Sequence, residues 1–330
     1  MGGFFYERDA DLGVLAGQRV AVVGYGNQGR PWALNMRDSG LAVSVHVRAD
    51  QGRDQSRQNA LSDGFEVGEV AEACDADIIC VLVSDDAIAS LGLVPDDEAL
   101  TIVASGYTLA FERFSPPGDV AMVAPRMLGP EVRRCYSEGV GFITAVGVQQ
   151  DRTGTAESRM LAVAKAIGGL RQGAIAMTPH QEAVLDLAVE QLLSPALTYV
   201  NTNFVMVLLE QGIPLEAITT ELFFSGEVER NYRLLREEGF VAQLDHHSPA
   251  SQYGQLSRRG RFDHLDVAST MKQLLADISS GRFADEWDGE SQAGAPRLAE
   301  LREMHAGELM RAVEADLRSK LGPDAALAHQ

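Results

Sequence analysis

Cysteine is scarce in this chain of 330 residues: Cys74, Cys80 and Cys135 are the whole complement, and they lack the paired spacing of a metal cluster or a disulfide framework. They read as reduced, mostly buried thiols of a cytoplasmic protein. Basic residues are also few, 28 Lys and Arg against 47 Asp and Glu, for a net charge of -19. That imbalance excludes nucleic acid and anionic membrane surfaces as partners. The start, Met1-Gly2-Gly3-Phe4-Phe5-Tyr6, lacks the basic-then-apolar order of a secretory signal, and Tyr6 stands where myristoylation needs Ser or Thr. Uninterrupted apolar runs all fall short of bilayer length, so no membrane span is expected. What the chain does have is size: 330 residues, 45% of them apolar, suffice for two domains with a substantial core.

The most informative stretch is residues 19–40. Val20, Val22 and Val23 form a short β-branched run leading into Gly24-Tyr25-Gly26-Asn27-Gln28-Gly29, and a helical pattern then runs to Gly40. A strand, a tight turn and a helix start are the context of a dinucleotide fingerprint. Gly24 permits the turn, Gly26 lets the backbone approach a pyrophosphate, and Gly29 lets the helix pack on the strand. The unpaired N–H groups of the helix start would face phosphate charge.

An acidic protein that holds an anionic cofactor must gather its few cations locally. After a second strand at 41–47 come Arg48, Arg53, Ser56 and Arg57, where an NAD site usually places an acid. Guanidiniums and a hydroxyl suit a 2′-phosphate, so NADPH is expected over NADH, although Asp50 and Asp54 share the loop. Apolar runs at 77–83, 99–104, 120–124 and 142–148, with a helical segment such as 67–73 between them, predict a doubly wound parallel sheet. Ser84-Asp85-Asp86, Ser105-Gly106-Tyr107 and Pro125-Arg126 then fall at strand carboxyl ends, around the cofactor. Residues 1–17 read as an arm with little pattern. Past Pro179 the texture becomes helical. The expected division is an α/β domain over 1–178 and a helical domain over 179–330.

Glu182, Asp186 and Glu190 recur every fourth residue and so share one face of a predicted helix. Stacked like charges need an offset, and a divalent cation with oxygen ligands is one, an exposed acidic stripe the other. Glu221, Glu227 and Glu229 read as the charged surface of another helix, and His246-His247 as polar loop residues.

Taken in order, these motifs resemble the ketol-acid reductoisomerase family, in its short form, from Gln18 to Arg302. The resemblance rests on Gly24-Tyr25-Gly26-Asn27-Gln28-Gly29 with 33–40, on Met122-Val123-Ala124-Pro125 with Val132-Arg133-Arg134, and on Asp186-Leu187-Ala188-Val189-Glu190-Gln191. It also rests on 272–278, 281–287 and 292–297. It implies a Rossmann NAD(P)-binding domain and a knotted, all-α domain that dimerises. It further implies NADPH or NADH, Mg²⁺ (at one site, given the departures below), and an active site shared across a homodimer. Asp186 and Glu190 would be metal ligands, Glu227 a ligand contributed by the partner subunit, and Ser248 a contact to the substrate carboxylate.

The departures fall on the chemistry. Ser105 replaces the family's histidine, Arg126 replaces its lysine after Ala-Pro, and Phe223 stands where the earlier glutamate of the second ligand pair belongs. Arginine keeps the charge but cannot exchange protons near neutral pH. These changes predict a reductase of a C=O or C=N bond in a small anionic substrate that has lost the isomerisation step. Asp186, Glu190, Arg126, Ser105, Glu227 and Ser248 would form its site. The alternatives are a conventional ketol-acid reductoisomerase of branched-chain amino acid synthesis and a non-catalytic cofactor-binding regulator.

Overall fold

The structure is a computed structural model that describes residues 3–48, 55–305 and 308–321. It divides into two compact units, Met1–Asp186 and Leu187–Gln330. The expected boundary at 178/179 lies at the start of the helix Pro179–Ala188, which runs through that division.

Among the described residues the first unit is built on nine strands: β1 (Phe4–Phe5), β2 (Val20–Val23), β3 (Val43–His46), β4 (Val67–Gly68), β5 (Ile78–Val81), β6 (Leu100–Val103), β7 (Asp119–Pro125), β8 (Thr144–Gln150) and β9 (Ala174–Ala176). They form one sheet in the order β1-β9-β8-β7-β6-β5-β2-β3-β4. From β4 to β7 every pairing is parallel, with Val20 opposite both Val43 and Ile78. β7 and β8 are antiparallel, with a bulge at Val120/Ala121. The apolar runs form strands because both sheet faces are covered. In β2, Val20 and Val22 enter one core cluster and Ala21 and Val23 the other; β5 divides Ile78 and Cys80 from Ile79 and Val81 in the same way. This is a Rossmann-type sheet.

Two local expectations change. The amino-terminal arm is tied down: β1 pairs antiparallel with β9 through Phe4–Ile175 and Phe5–Ala174 and closes one sheet edge. The segment 67–73, expected to be helical, begins as β4 on the far edge before a 3₁₀ turn at Val70–Asp75. Its Gly68 packs against the His46 ring, where a Cβ would lie 2.9 Å from Nδ1. The cysteines are free thiols, Cys80 and Cys135 buried and Cys74 half-buried.

The second unit is helical, chiefly Ser194–Glu210, Glu227–Glu238, Pro249–Arg258, Val267–Ser279, Arg282–Gln292 and Pro296–His305. Two π-helical segments interrupt the α pattern, Val189–Leu193 and Thr220–Phe224. Its buried apolar residues are few: Leu187, Ile218, Leu234, Ile278, Ala284 and Leu317 among the described residues. By contrast Leu197, Val200, Phe204, Met206 and Val207 are exposed along one helix.

Among the described residues one helix passes the length and composition test for a membrane span, a test that helices of non-membrane proteins also pass, so the expectation of no span is not overturned. The helical run Pro179–Glu210, 32 residues long, contains a window of mean hydropathy 1.4 that is unburied in the chain, and it is long and apolar enough to cross a bilayer. Polar residues such as Gln191, Thr198 and Asn201 break up the contiguous runs while leaving the average high.

Candidate active site

The chain leaves β2 and returns to β5 beside it, after moving outward to β3 and β4 on the other side. That reversal opens a crevice at the strand carboxyl ends. A cleft of about 680 Å³ occupies it, within the size range of cofactor sites. Gly24, Tyr25, Gly26, Asn27 and Gln28 line it from β2, Arg48 and Ser56 from beyond β3, Ser84 and Asp85 from β5, and Ser105 from β6.

The three glycines divide their work. Gly24 has φ +94°, and a Cβ there would lie 2.7 Å from the Leu82 carbonyl oxygen. At Gly29 a Cβ would come 2.1 Å from the Gly24 carbonyl oxygen, so only glycine lets the helix Gly29–Asp38 start against the strand end. At Gly26 a Cβ meets no protein atom within 4 Å; the space belongs to the cleft. No side chain caps this helix and its first turn holds no acid. Arg30 N–H donates to the Gly26 carbonyl at 3.2 Å and Pro31 has no N–H, so the Gly29 N–H is the helix's leading donor towards an anion. This floor fits the pyrophosphate of a nicotinamide cofactor.

The flanking residues are more mixed. Tyr25 is buried, its hydroxyl donating to Asp63 at 2.8 Å, and burial together with Asp63 raises its pKa well above the usual range. Gln28 donates to the Met127 carbonyl at 3.3 Å and accepts from the Trp32 indole at 3.2 Å. Arg48 reaches Ser90 at 2.5 Å at the cleft margin. Arg57 is drawn to Glu69 at 2.7 Å and is not a lining residue, while Arg53 lies outside the described residues.

Beside the cleft stands a cluster of charge. Arg126, at the end of β7, spans two carboxylates of the helix Pro179–Ala188: Nη1 meets Glu182 Oε1 at 2.5 Å and Nη2 meets Asp186 Oδ1 at 2.8 Å. The other Glu182 oxygen accepts the Gly106 N–H at 2.7 Å. Gly106 makes this junction possible, because a Cβ there would lie 2.1 Å from the Pro179 carbonyl oxygen. Glu182 is 2% exposed. Its pKa is raised by burial and by Asp186, against the pull of Gly106 N–H and Arg126. Asp85, lining the cleft, is pushed up to about 6 by burial and then by the charges of Glu182, Asp86 and Asp186. A carboxyl held near 6 beside a cofactor cleft is a group able to donate a proton near neutral pH.

Glu182 and Asp85 are therefore part of this site, though sequence reasoning did not place them among its working residues. The fourfold acidic spacing pointed to Glu182, but nothing local foretold its burial. Ser105 lines the cleft and its Oγ accepts the Tyr107 N–H at 3.2 Å. The remaining expected residues belong to the second unit. Glu190 is exposed and lies in the π segment Val189–Leu193, so the α-helical spacing from Asp186 is not kept through it. Glu227 is exposed and opens the helix Glu227–Glu238, and Gly226, at φ 74°, separates it from the π segment that carries Glu221 and Phe223. The reading of Glu221, Glu227 and Glu229 as the charged surface of a single helix is thus corrected: Glu221 lies in the π segment and Glu227 and Glu229 in the helix after it. Ser248 caps the helix Pro249–Arg258 by accepting from Ser251 N at 3.3 Å, and His246 meets Glu238 at 2.8 Å.

The implied metal fits less well than the cofactor. Among the described residues no three His, Cys, Asp or Glu side chains converge to hold an ion. Asp186, the first expected ligand, already receives a guanidinium.

A Rossmann-type sheet with a glycine fingerprint at its switch point and a charged cluster beside it defines an NAD(P)H-dependent oxidoreductase. The comparisons name the group within that class. Residues 14–173 match the family described as acetohydroxy acid isomeroreductase, NADPH-binding domain, and residues 180–322 match ketol-acid reductoisomerase, C-terminal domain. The chain belongs to the ketol-acid reductoisomerase family. It is 35% identical to the ketol-acid reductoisomerase (NADP(+)) of Saccharopolyspora erythraea, over 96% of each chain. It is also 35% identical to the enzyme of the same name from Methanocaldococcus jannaschii, over 96% of this chain and 98% of that one. An NADH-preferring ketol-acid reductoisomerase from an uncultured archaeon has a similar structure, with TM-score 0.87 and 29% identity over 96% of this chain and 98% of that one.

Proposed function

We propose that this chain uses NADPH to reduce a C=O or C=N bond of a small anionic substrate in a specialised pathway, without the preceding alkyl migration. One observation carries the reading: the cofactor floor of the family is intact, whereas Arg126 holds Asp186 at 2.8 Å where the family has a proton-exchanging lysine and a metal-bound carboxylate. Alkyl migration builds up charge that two metal ions can stabilise, while hydride transfer to a carbonyl or iminium asks for less.

Within this reading the glycine floor binds the pyrophosphate, and the cofactor when bound supplies the hydride. Asp85, its carboxyl pushed up to about 6, is placed to exchange a proton at the cleft, and Ser105 offers a hydroxyl on the same wall. Arg48 and Ser56 support NADPH over NADH. The Mg²⁺ implied at Asp186, Glu190 and Glu227 would have to share Asp186 with the Arg126 guanidinium, so no step is routed through it.

The active unit is a homodimer in the cytoplasm, with a knotted helical domain and a site shared across the interface, to which the partner subunit contributes Glu227 and in which Ser248 contacts the substrate carboxylate. The exposed apolar stretch of the helix Ser194–Glu210 supports this, since a second copy would cover it better than a bilayer would cover a surface of this charge.

A second reading is favoured by the names of the relatives: a conventional ketol-acid reductoisomerase of branched-chain amino acid synthesis. NADPH oxidation separates the two, measured with 2-acetolactate and with its already rearranged 2-keto acid, each with and without Mg²⁺. The proposal expects turnover of the rearranged acid only. Turnover of 2-acetolactate at ordinary enzyme rates would overturn it, and tight NADPH binding with no oxidation of any keto acid or cyclic imine would point to the non-catalytic regulator.

A further inference from the structure

The cluster around Arg126 has a built-in cation, and its geometry bears on metal binding. One guanidinium arm is anchored on Glu182, which is itself buried and held from behind by Gly106 N–H at 2.7 Å. The planar fork then delivers its second arm to Asp186 at 2.8 Å. A lysine ammonium is a point charge on a flexible stem and does not present two arms to two carboxylates in this way. Because Glu182 fixes the fork, an ion that coordinated Asp186 would have to share the carboxylate with the guanidinium on Oδ1 and sit beside a second positive charge. The far side of the expected ligand set is poorer too, since Phe223 stands at a glutamate position and is 60% exposed in its π segment.

We propose that Arg126 stands in for the divalent cation at Asp186. Its guanidinium is the fixed positive charge of this site, and the chain therefore holds Mg²⁺ there only weakly. Glu182 is the positioning residue that keeps Arg126 in place. The inference deepens the reductase reading and rests on it, because a site with a protein cation suits hydride transfer more than rearrangement.

The test is Mn²⁺ titration of the NADPH-bound full chain, with free Mn²⁺ followed by electron paramagnetic resonance. Arg126→Met should bind Mn²⁺ about 10- to 100-fold more tightly than the wild type, the range over which neighbours of a metal ligand commonly move affinity. Adding Asp186→Asn to Arg126→Met should remove that gain. Arg126→Lys guards against a misfolded methionine variant. It keeps the charge but not the fork, and should gain part of the affinity. Equal Mn²⁺ binding by wild type and both variants, or tighter binding by the wild type, would overturn the proposal. Binding is read without turnover, so a chain that reduces no keto acid would sink the functional reading and leave this result standing.

Discussion

Asp85 shows how one side chain carries both a chemical and a stability consequence. Its carboxyl titrates near 6 in the folded chain against an ordinary value of 3.8. Between those values the folded state holds a proton that the unfolded state has released, so this contribution favours folding at low pH and is lost as pH rises through 6. Asp85→Asn removes the cost of burying the charge. It should raise Tm near pH 8, at about 2–4 °C per kcal/mol for a unit of this size, and the difference from wild type should shrink near pH 5. Melting curves at the two pH values check this, and a constant difference would contradict it. The residue was visible in the sequence only as part of a loop at a strand end. Its environment comes from Glu182 and Asp186, a hundred residues downstream, and no local pattern encodes that meeting. Arg126 is the same case: its partners lie 56 and 60 residues away. The substitution at 126 was legible; what the guanidinium holds was not.

At the scale of elements, the strand–turn–helix at 20–38 was the most legible part of the chain, because each glycine answers to atoms a few residues away. That locality makes a paired prediction possible. Gly29→Ala drives a methyl into the Gly24 carbonyl, 2.1 Å away, and should destabilise the first unit by about 1–3 kcal/mol, the usual cost of overpacking. Gly26→Ala meets no protein atom. It should leave the melting temperature nearly unchanged and weaken NADPH binding by about 10- to 100-fold, as one misplaced methyl in a pocket does. Thermal melts and NADPH fluorescence titrations on both variants separate the two effects, and an equal loss of stability would refute the division of labour. The π segments were the least legible elements. Val189–Leu193 and Thr220–Phe224 carry sequence patterns that suit an α-helix equally well; the first holds Glu190, expected at the site, and the second Phe223, which stands at a family ligand position. π turns of this kind are frequent at functional sites. The edge strands β1 and β4 escaped notice because two residues are too short for alternation to register.

For the molecule as a whole, the two units differ in how they are held together. The first has two core clusters, one on each face of its sheet. The second presents Leu197, Val200, Phe204 and Val207 to the outside. Sequence composition announced enough apolar residues for a core but could not say that many would face outward, since amphipathic period and partner contact leave the same trace. If a second copy covers them, the chain should sediment as a dimer or larger assembly. Phe204→Arg, on the middle of that exposed helix, should shift it towards monomer or aggregate, as read by analytical ultracentrifugation. An unchanged dimer would place the interface elsewhere.

The scarcity of buried side chains in the helical unit has one more consequence. If the proposed twin subunit is what finishes this interior, separation and unfolding become the same event. Differently tagged chains should therefore form hybrids readily when co-expressed, yet refuse to trade partners when the mature proteins are mixed.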